Sequence, residues 1–197
     1  MVDTPRLILR RFRPADLDAL VELNRDPEVM RYITGRPTPA DEVRDRLLPE
    51  YLAGHERSGG PGHWAADERA TGVFQGWFAL RPVEGAVNTL ELGYRLRRDA
   101  WGRGYATEGG RAILDLAFTT CGADRVVAQT MTVNTRSRAV MERLGMRYRR
   151  SFTADWGEHI EGAELGDVEY IIEQSRWAAS NAEPRVTCAE RQCSRAR

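Results

Sequence analysis

Residues 97–118, with the sequence RRDAWGRGYATEGGRAILDLAF, place glycines immediately before the pattern of an amphipathic helix. Apolar side chains recur at spacings of three and four through residues 104–121, which predicts a helix with one face against a sheet. The first backbone N–H groups of such a helix have no helical partners and lie at the positive end of its dipole. Gly102 and Gly104 lack the side chains that would keep an anion such as pyrophosphate away. The pattern therefore predicts an anion site, or else a tight turn without a ligand.

Two familiar phosphate-binding motifs do not fit this turn. A P-loop needs a lysine after its second glycine, but Gly109 is followed by Gly110 and Arg111. A dinucleotide-binding fingerprint would place its third glycine at position 107, which is Thr107. The sequence contains no lysine, so Schiff-base and P-loop lysine chemistry is also excluded.

Hydrophobic periodicity predicts seven strands and five helices, with the second, third and fourth strands following one another directly. We expect Thr38 to cap a helix that bends or splits at Pro49, and Asn134 to cap a helix that ends at Gly145. The strands are expected near residues 6–14, 63–68, 72–82, 88–99, 124–133, 146–155 and 165–174. The helices are expected near residues 14–24, 26–33, 38–60, 104–121 and 135–145.

Length and charge limit the class of protein. The 197 residues suffice for one domain, which we place at residues 1–177, followed by a disordered tail at 178–197 that has almost no large apolar residues. Twenty-nine basic residues balance 29 acidic ones, so no nucleic-acid partner is expected. Charges interrupt the apolar residues throughout, so we expect no membrane partner and a cytoplasmic location.

Metal binding is not expected either. Cys121, Cys188 and Cys193 form no C-x-x-C pair, and the three histidines are scattered along the chain. A metal site needs several ligands that converge on one point.

The segments ELGYRLRRDAWGRGYATEG and VNTRSRAVMERLGMRY, with the order of elements, resemble the GNAT acyl-CoA N-acyltransferases and their RimJ/RimL-like branch. The resemblance covers residues 4 to about 177. The family turn Q/R-x-x-G-x-G/A aligns with residues 101–106, where Trp101 departs at the first position. The resemblance implies an α/β (α+β) fold with a mixed, mostly antiparallel sheet of six or seven strands, flanked by helices and opened by a V-shaped splay.

The resemblance also implies acetyl-CoA as co-substrate and no metal. The amides of residues 102–107 would hold the coenzyme A pyrophosphate, and the strand ending at residues 96–98 would pair with the pantetheine amides. Asn134 would contact the pantetheine arm, serve as a plain helix cap, or do both. The implied cofactor-binding residues are Leu96, Arg97, Arg98, Trp101, Gly102, Arg103, Gly104, Tyr105, Ala106, Thr107 and Asn134.

Two residues are candidates for proton transfer. Glu91 lies where several relatives carry a general base, although a structural glutamate paired with an arginine explains it equally well. Many relatives place a tyrosine, which acts as donor to the departing thiolate, where this chain has Met141. Ser137 is the natural replacement for that tyrosine. Water could also protonate the thiolate. By strand alternation Glu91 shares a face with Arg95, whereas we expect Tyr94 on the other face, in the core.

The resulting hypothesis is an N-acetyltransferase that moves acetyl from acetyl-CoA to a primary amine by direct attack. By resemblance the acceptor is a protein N-terminus or a small amine, the segment 26–58 shapes that choice, and a homodimer is compatible with the family. A CoA-binding sensor domain without catalysis is the alternative. A protein that uses the helix terminus for another nucleotide is a second rival.

Overall fold

Eight strands form one sheet in the order β1-β2-β3-β4-β5-β6-β8-β7 in the computed structural model, which describes residues 1–57, 60–153 and 160–182. The predicted mixed, mostly antiparallel sheet is confirmed, and its eighth strand is the two-residue β1. The strands are β1 Val2–Asp3, β2 Leu7–Arg11, β3 Gly62–Glu68, β4 Phe74–Pro82, β5 Thr89–Leu96, β6 Arg125–Met131, β7 Arg147–Phe152 and β8 Asp167–Glu173.

Helices cover both faces of the sheet. The helices are α1 Leu17–Arg25, α2 Pro27–Met30, α3 Ala40–Glu42, α4 Leu48–Arg57, α5 Tyr105–Thr119, α6 Thr135–Arg143 and α7 Gln174–Ala182. Along β4, Trp77 and Ala79 join the core cluster under α1 and the α3–α4 segment, while the alternate residues Phe78 and Leu80 join the cluster under α5. Short 3₁₀ helices lie at Pro14–Asp16, Arg98–Ala100 and Ala163–Leu165.

Two glycines inside α5 bring this helix close to its neighbours. A Cβ at Gly109 would lie 2.3 Å from Cζ of Phe78, and one at Gly110 would lie 2.9 Å from Cδ1 of Leu144. The Phe78 ring therefore packs directly against the backbone of α5. This close packing fixes α5 against the sheet and positions its N-terminus.

The strands β5 and β6 diverge after a short parallel contact. Thr89, Leu90 and Glu91 pair with the segment 125–127 of β6, although β5 continues to Leu96 and β6 continues to Met131. The sheet therefore opens beyond Glu91. This is the V-shaped splay that the family resemblance implies.

The expected details of the 38–60 helix were wrong. Thr38 is not its cap, because the helix begins at Ala40 and Pro39 occupies the cap position. The N–H of Thr38 donates to the carbonyl oxygen of Asn24 at 2.9 Å. The helix is not split at Pro49 either; a π-helical turn at Val43–Leu47 precedes that residue. The wider turn accommodates the proline ring, which would otherwise clash with the carbonyl four residues earlier.

Helix α7 crosses the expected boundary between domain and tail. Trp177 is buried, and its Nε1 donates to Oδ1 of Asp115 at 2.7 Å. The helix then continues to Ala182, five residues into the segment 178–197. Residues 183–197 lie outside the described part of the chain, so their disorder stays a prediction.

Candidate active site

The glycine turn opens the N-terminus of α5. Gly102 and Gly104 have φ angles of +73° and +82°, a conformation that favours glycine. A Cβ at Gly102 would meet no atom of the described residues within 4 Å, apart from its chain neighbours. The N–H of Glu108 makes the first helical bond, to the carbonyl oxygen of Gly104 at 3.0 Å. The N–H groups of Tyr105, Ala106 and Thr107 come before that bond. They are the N–H groups that have no partner within the helix at its N-terminus.

Trp101 closes the turn on the preceding strand. Its Nε1 donates to the carbonyl oxygen of Leu96 at 2.9 Å. The guanidinium carbon of Arg136 lies 5.2 Å from the centre of the Trp101 ring, which brings positive charge beside the turn. The residue that departs from the family pattern therefore fixes the turn through a main-chain contact.

A cluster of charged side chains anchors the first turn of α5. The guanidinium carbons of Arg6 and Arg103 lie 4.7 and 4.6 Å from the centre of the buried Tyr105 ring. The phenol of Tyr105 and the guanidinium of Arg103 both donate to Oε1 of Glu68. Hydrogen bonds from Tyr105, Thr71 and Arg103 lower the pKa of Glu68 to about 2. Tyr105 and Arg103 thus have structural roles in holding the turn.

The other predicted arginines contact carboxylates as well. The guanidinium of Arg97 donates to Asp99 at 3.2 Å, and Nε of Arg98 lies 3.7 Å from Oδ2 of Asp26. Much of the basic charge near the turn is therefore balanced by acidic side chains. The helix amides are the groups best placed to bind an anion.

One edge of β5 faces the cleft between β5 and β6. The N–H of Arg97 donates to the carbonyl oxygen of Gln75 in β4 at 2.9 Å. Because main-chain groups alternate along a strand, those of Tyr94 and Leu96 point to the opposite edge, toward the cleft. The Leu96 carbonyl oxygen already accepts a hydrogen bond from Trp101. The groups that face the cleft without this partner are therefore the N–H of Leu96 and the N–H and carbonyl oxygen of Tyr94. Of the residues 96–98 expected to pair with pantetheine, Leu96 lies on this edge.

Glu91 lies where the cleft begins. It is opposite Val127 at the last pairing of β5 with β6. Its Oε1 accepts a hydrogen bond from Nη2 of Arg81 at 3.0 Å. The arginine pairing expected for a structural glutamate is therefore present, at the position expected for a general base.

Asn134 caps α6, as predicted. Its Oδ1 accepts from the N–H of Ser137 at 3.2 Å, and its Nδ2 donates to Oγ1 of Thr130 at 3.1 Å. The cap fixes Ser137 in the first turn of α6. A contact between Asn134 and the pantetheine arm stays a prediction.

Tyr94 makes a contact that the sequence reasoning missed. It packs against the α5 core cluster, as expected, but its hydroxyl lies 2.8 Å from Oγ of Ser137 and donates to the Ser137 carbonyl oxygen at 3.1 Å. Burial raises the pKa of Tyr94 to about 12, so its phenol is neutral near pH 7. Met141, at the position of the family tyrosine, is buried in the core. Strand alternation predicted the face on which Tyr94 lies. It could not predict the contact with Ser137, because the two residues are 43 positions apart in the sequence.

Within the described ranges, the structure brings together no group of three or more His, Cys, Asp or Glu side chains suited to a metal ion. None of the helices in that part of the chain is both long and apolar enough to cross a membrane.

Comparison with known proteins identifies the family. The Acetyltransferase (GNAT) domain matches residues 6–147. The chain is 35% identical over 166 residues to the FsC-acetyl coenzyme A-N(2)-transacetylase of Aspergillus fumigatus, covering 80% of this chain and 69% of that protein.

Solved structures agree with this fold. A GNAT-family acetyltransferase from Bacillus anthracis superposes with a TM-score of 0.75 at 22% identity, covering 88% of this chain and 98% of that one. RimL, a ribosomal L7/L12 alpha-N-protein acetyltransferase solved with coenzyme A, superposes with a TM-score of 0.72 at 19% identity, covering 86% and 95%. The chain belongs to the GNAT family and is an acetyl-CoA-dependent acetyltransferase.

Proposed function

We propose that this enzyme transfers the acetyl group of acetyl-CoA to a primary amine by direct attack, without a covalent enzyme intermediate. The observation that carries the proposal is the position of Glu91. It lies at the apex of the cleft, where β5 leaves β6, and one edge of that cleft leads to the glycine turn at the N-terminus of α5. One cleft thus combines a carboxylate with an anion-binding helix terminus.

The residues of the turn fit the pyrophosphate of coenzyme A. The space at Gly102 would be filled by a Cβ, and the amides of Tyr105, Ala106 and Thr107 provide hydrogen-bond donors at a helix N-terminus. The cleft edge at Tyr94 and Leu96 would pair with the pantetheine amides as an added strand does. These contacts would place the thioester near Glu91.

Glu91 would act as the base. The neutral amine nitrogen forms a bond to the thioester carbonyl carbon, and the proton that the nitrogen then loses passes to the Glu91 carboxylate, directly or through a water. Arg81 binds Oε1 of Glu91 and so holds the carboxylate in place. The products are the acetylated amine and coenzyme A.

Ser137 would donate a hydrogen bond to the sulfur as the carbon–sulfur bond breaks and so stabilise the departing thiolate. The contact between its Oγ and the Tyr94 hydroxyl fixes the serine side chain, and the Asn134 cap fixes its backbone. Tyr94 is then a positioning residue. Water would supply the proton that converts the thiolate to the thiol of free coenzyme A.

The acceptor amine is an open part of this proposal. One relative is named as an N(2)-transacetylase, and RimL is named for acetylating the N-terminus of a ribosomal protein. Both names describe acetylation of an amine. Glu91 lies on the same face of the sheet as α1 and the α3–α4 segment, so we expect these helices to shape acceptor choice.

Glu91→Gln tests the base. The variant is expected to lower kcat by about 100-fold or more, in the range found for general bases, while the Kd for acetyl-CoA is unchanged. Release of the coenzyme A thiol measures transfer, and calorimetry measures Kd. Glu84→Gln removes the same charge from the exposed β4–β5 loop and serves as the control. Wild-type kcat in Glu91→Gln would refute this role, and a sensor would release no thiol with any amine.

A further inference from the structure

Arg95 carries a charge that the fold leaves without an acidic partner. It is half-buried on β5, and its Nη1 donates to Oδ1 of Asn24. Its Nε is buried and has no hydrogen-bond partner. No carboxylate in residues 1–57, 60–153 or 160–182 forms an ion pair with it. Burial lowers the pKa of Arg95, which shows the cost of its isolated charge.

A second donor nearby is also unsatisfied. Trp77 is buried, and its Nε1 has no hydrogen-bond partner in the described structure. The guanidinium carbon of Arg95 lies 5.2 Å from the centre of the Trp77 ring. Buried polar groups are normally hydrogen-bonded, so two neighbouring donors without an acceptor require an explanation. A bound oxyanion would supply the acceptor atoms.

The position of Arg95 connects it to the reaction. Glu91, Gly93 and Arg95 alternate onto one face of β5, and all three are half-buried. Gly93 itself has no side chain, and the position where its Cβ would lie is bordered by Cζ3 of Trp77 at 3.5 Å and Nη2 of Arg81 at 3.6 Å. The Cα atoms of Glu91 and Arg95 are separated by four residues of strand, about 13 Å. A molecule lying over Gly93 could therefore reach both side chains.

We propose that Arg95 binds a carboxylate group of the acceptor, so that the substrate is an amine carrying a free carboxylate several bonds from the reacting nitrogen. The inference rests on the proposed function. One guanidinium matches the charge of one carboxylate, and its planar N–H groups bind two carboxylate oxygens side by side. The amine would lie at Glu91 and the carboxylate at Arg95.

Matched acceptor pairs test this proposal. 6-Aminohexanoate is compared with 6-aminohexanamide, and 4-aminobutanoate with 4-aminobutanamide, by thiol release. Wild-type enzyme is expected to prefer the acid by at least tenfold in kcat/KM. Arg95→Gln is expected to lose the preference through a higher KM for the acid, while KM for the amide is unchanged. Arg25→Gln, in α1 beside Asn24, removes an exposed charge and is the control.

Asn24→Asp provides a second variant that keeps Arg95. The new carboxylate would pair with the guanidinium and compete with the acceptor, so KM for the acid is expected to rise. Calorimetry with acetyl-CoA shows that each variant is folded. Equal use of acid and amide by the wild type, or a preference that survives in Arg95→Gln, would overturn the role of Arg95 while leaving amine acetylation intact. Absence of transfer to all four acceptors would overturn the substrate class proposed here, whereas absence of thiol release with every amine, protein N-termini included, would overturn the proposed function itself.

Discussion

Replacing Gly102 with alanine separates a binding role of the glycine turn from a purely conformational one. The substitution places a methyl group in open space at the turn that leads into α5. It also forces alanine to adopt a φ of +73°, which costs about 1–2 kcal/mol of stability. A matched control is therefore essential, because strain alone would weaken any fold-dependent property.

Gly122→Ala provides that control. Gly122 has a φ of +67°, and a Cβ there would likewise meet no atom of the described residues within 4 Å. It lies beyond the opposite end of α5. Each kcal/mol lost lowers the Tm of a chain of this length by about 2–4 °C, so both variants are expected to melt about 2–8 °C below the wild type.

The two variants should differ in binding coenzyme A. Loss of one hydrogen bond to a charged phosphate costs about 1.5–3 kcal/mol. Because 1.4 kcal/mol corresponds to a tenfold change, the Kd of Gly102→Ala is expected to rise between about tenfold and 150-fold. Gly122→Ala should bind as the wild type does. Calorimetric titration with coenzyme A measures both, and equal affinities for the two variants would refute the assignment of the turn as the pyrophosphate site.

Two further predictions concern stability. Gly109→Ala is expected to lower the Tm, because its Cβ would overlap the Phe78 ring at 2.3 Å and overpacking costs about 1–3 kcal/mol; an unchanged Tm would show that α5 is free to shift. The pKa of Glu68 is lowered in the folded state, so this carboxylate contributes stability above its ordinary pKa of 4.5 that is lost as the pH falls toward 2. Glu68→Gln should therefore lower the Tm most above about pH 4.5 and least near pH 2; a pH-independent difference would contradict that linkage.

Local patterns predicted most of the fold. Apolar periodicity predicted seven of the eight strands, and the two-residue β1 is too short to have a period. The cap at Asn134 was also predictable, because the Asn134 oxygen and the Ser137 N–H that donates to it lie three residues apart. The expected cap of the 38–60 helix was wrong, because the helix begins one residue later than expected and Pro39, which has no side-chain oxygen, occupies the cap position.

The site was predictable only where its residues are close in sequence. The turn at Gly102 and Gly104 satisfies a local backbone requirement, and its motif is therefore visible in the sequence. The place where β5 and β6 part depends on pairing between distant segments, and spacing within either strand carries no information about it. The same holds for Tyr94 and Ser137.

Tyr94 and Arg95 show why alternation alone cannot distinguish a core residue from a binding residue. Consecutive in one strand, they point to opposite faces, and each has a polar end that meets a distant partner. Tyr94 is satisfied by Ser137, whereas Asn24, 71 residues from Arg95, satisfies one nitrogen and leaves Nε unpaired. The numbers of basic and acidic residues are equal, so the composition does not reveal the unbalanced positive charge at Arg95. A buried N–H without an acceptor is destabilising by itself, and a carboxylate of the acceptor substrate would supply the acceptor that Nε of Arg95 lacks.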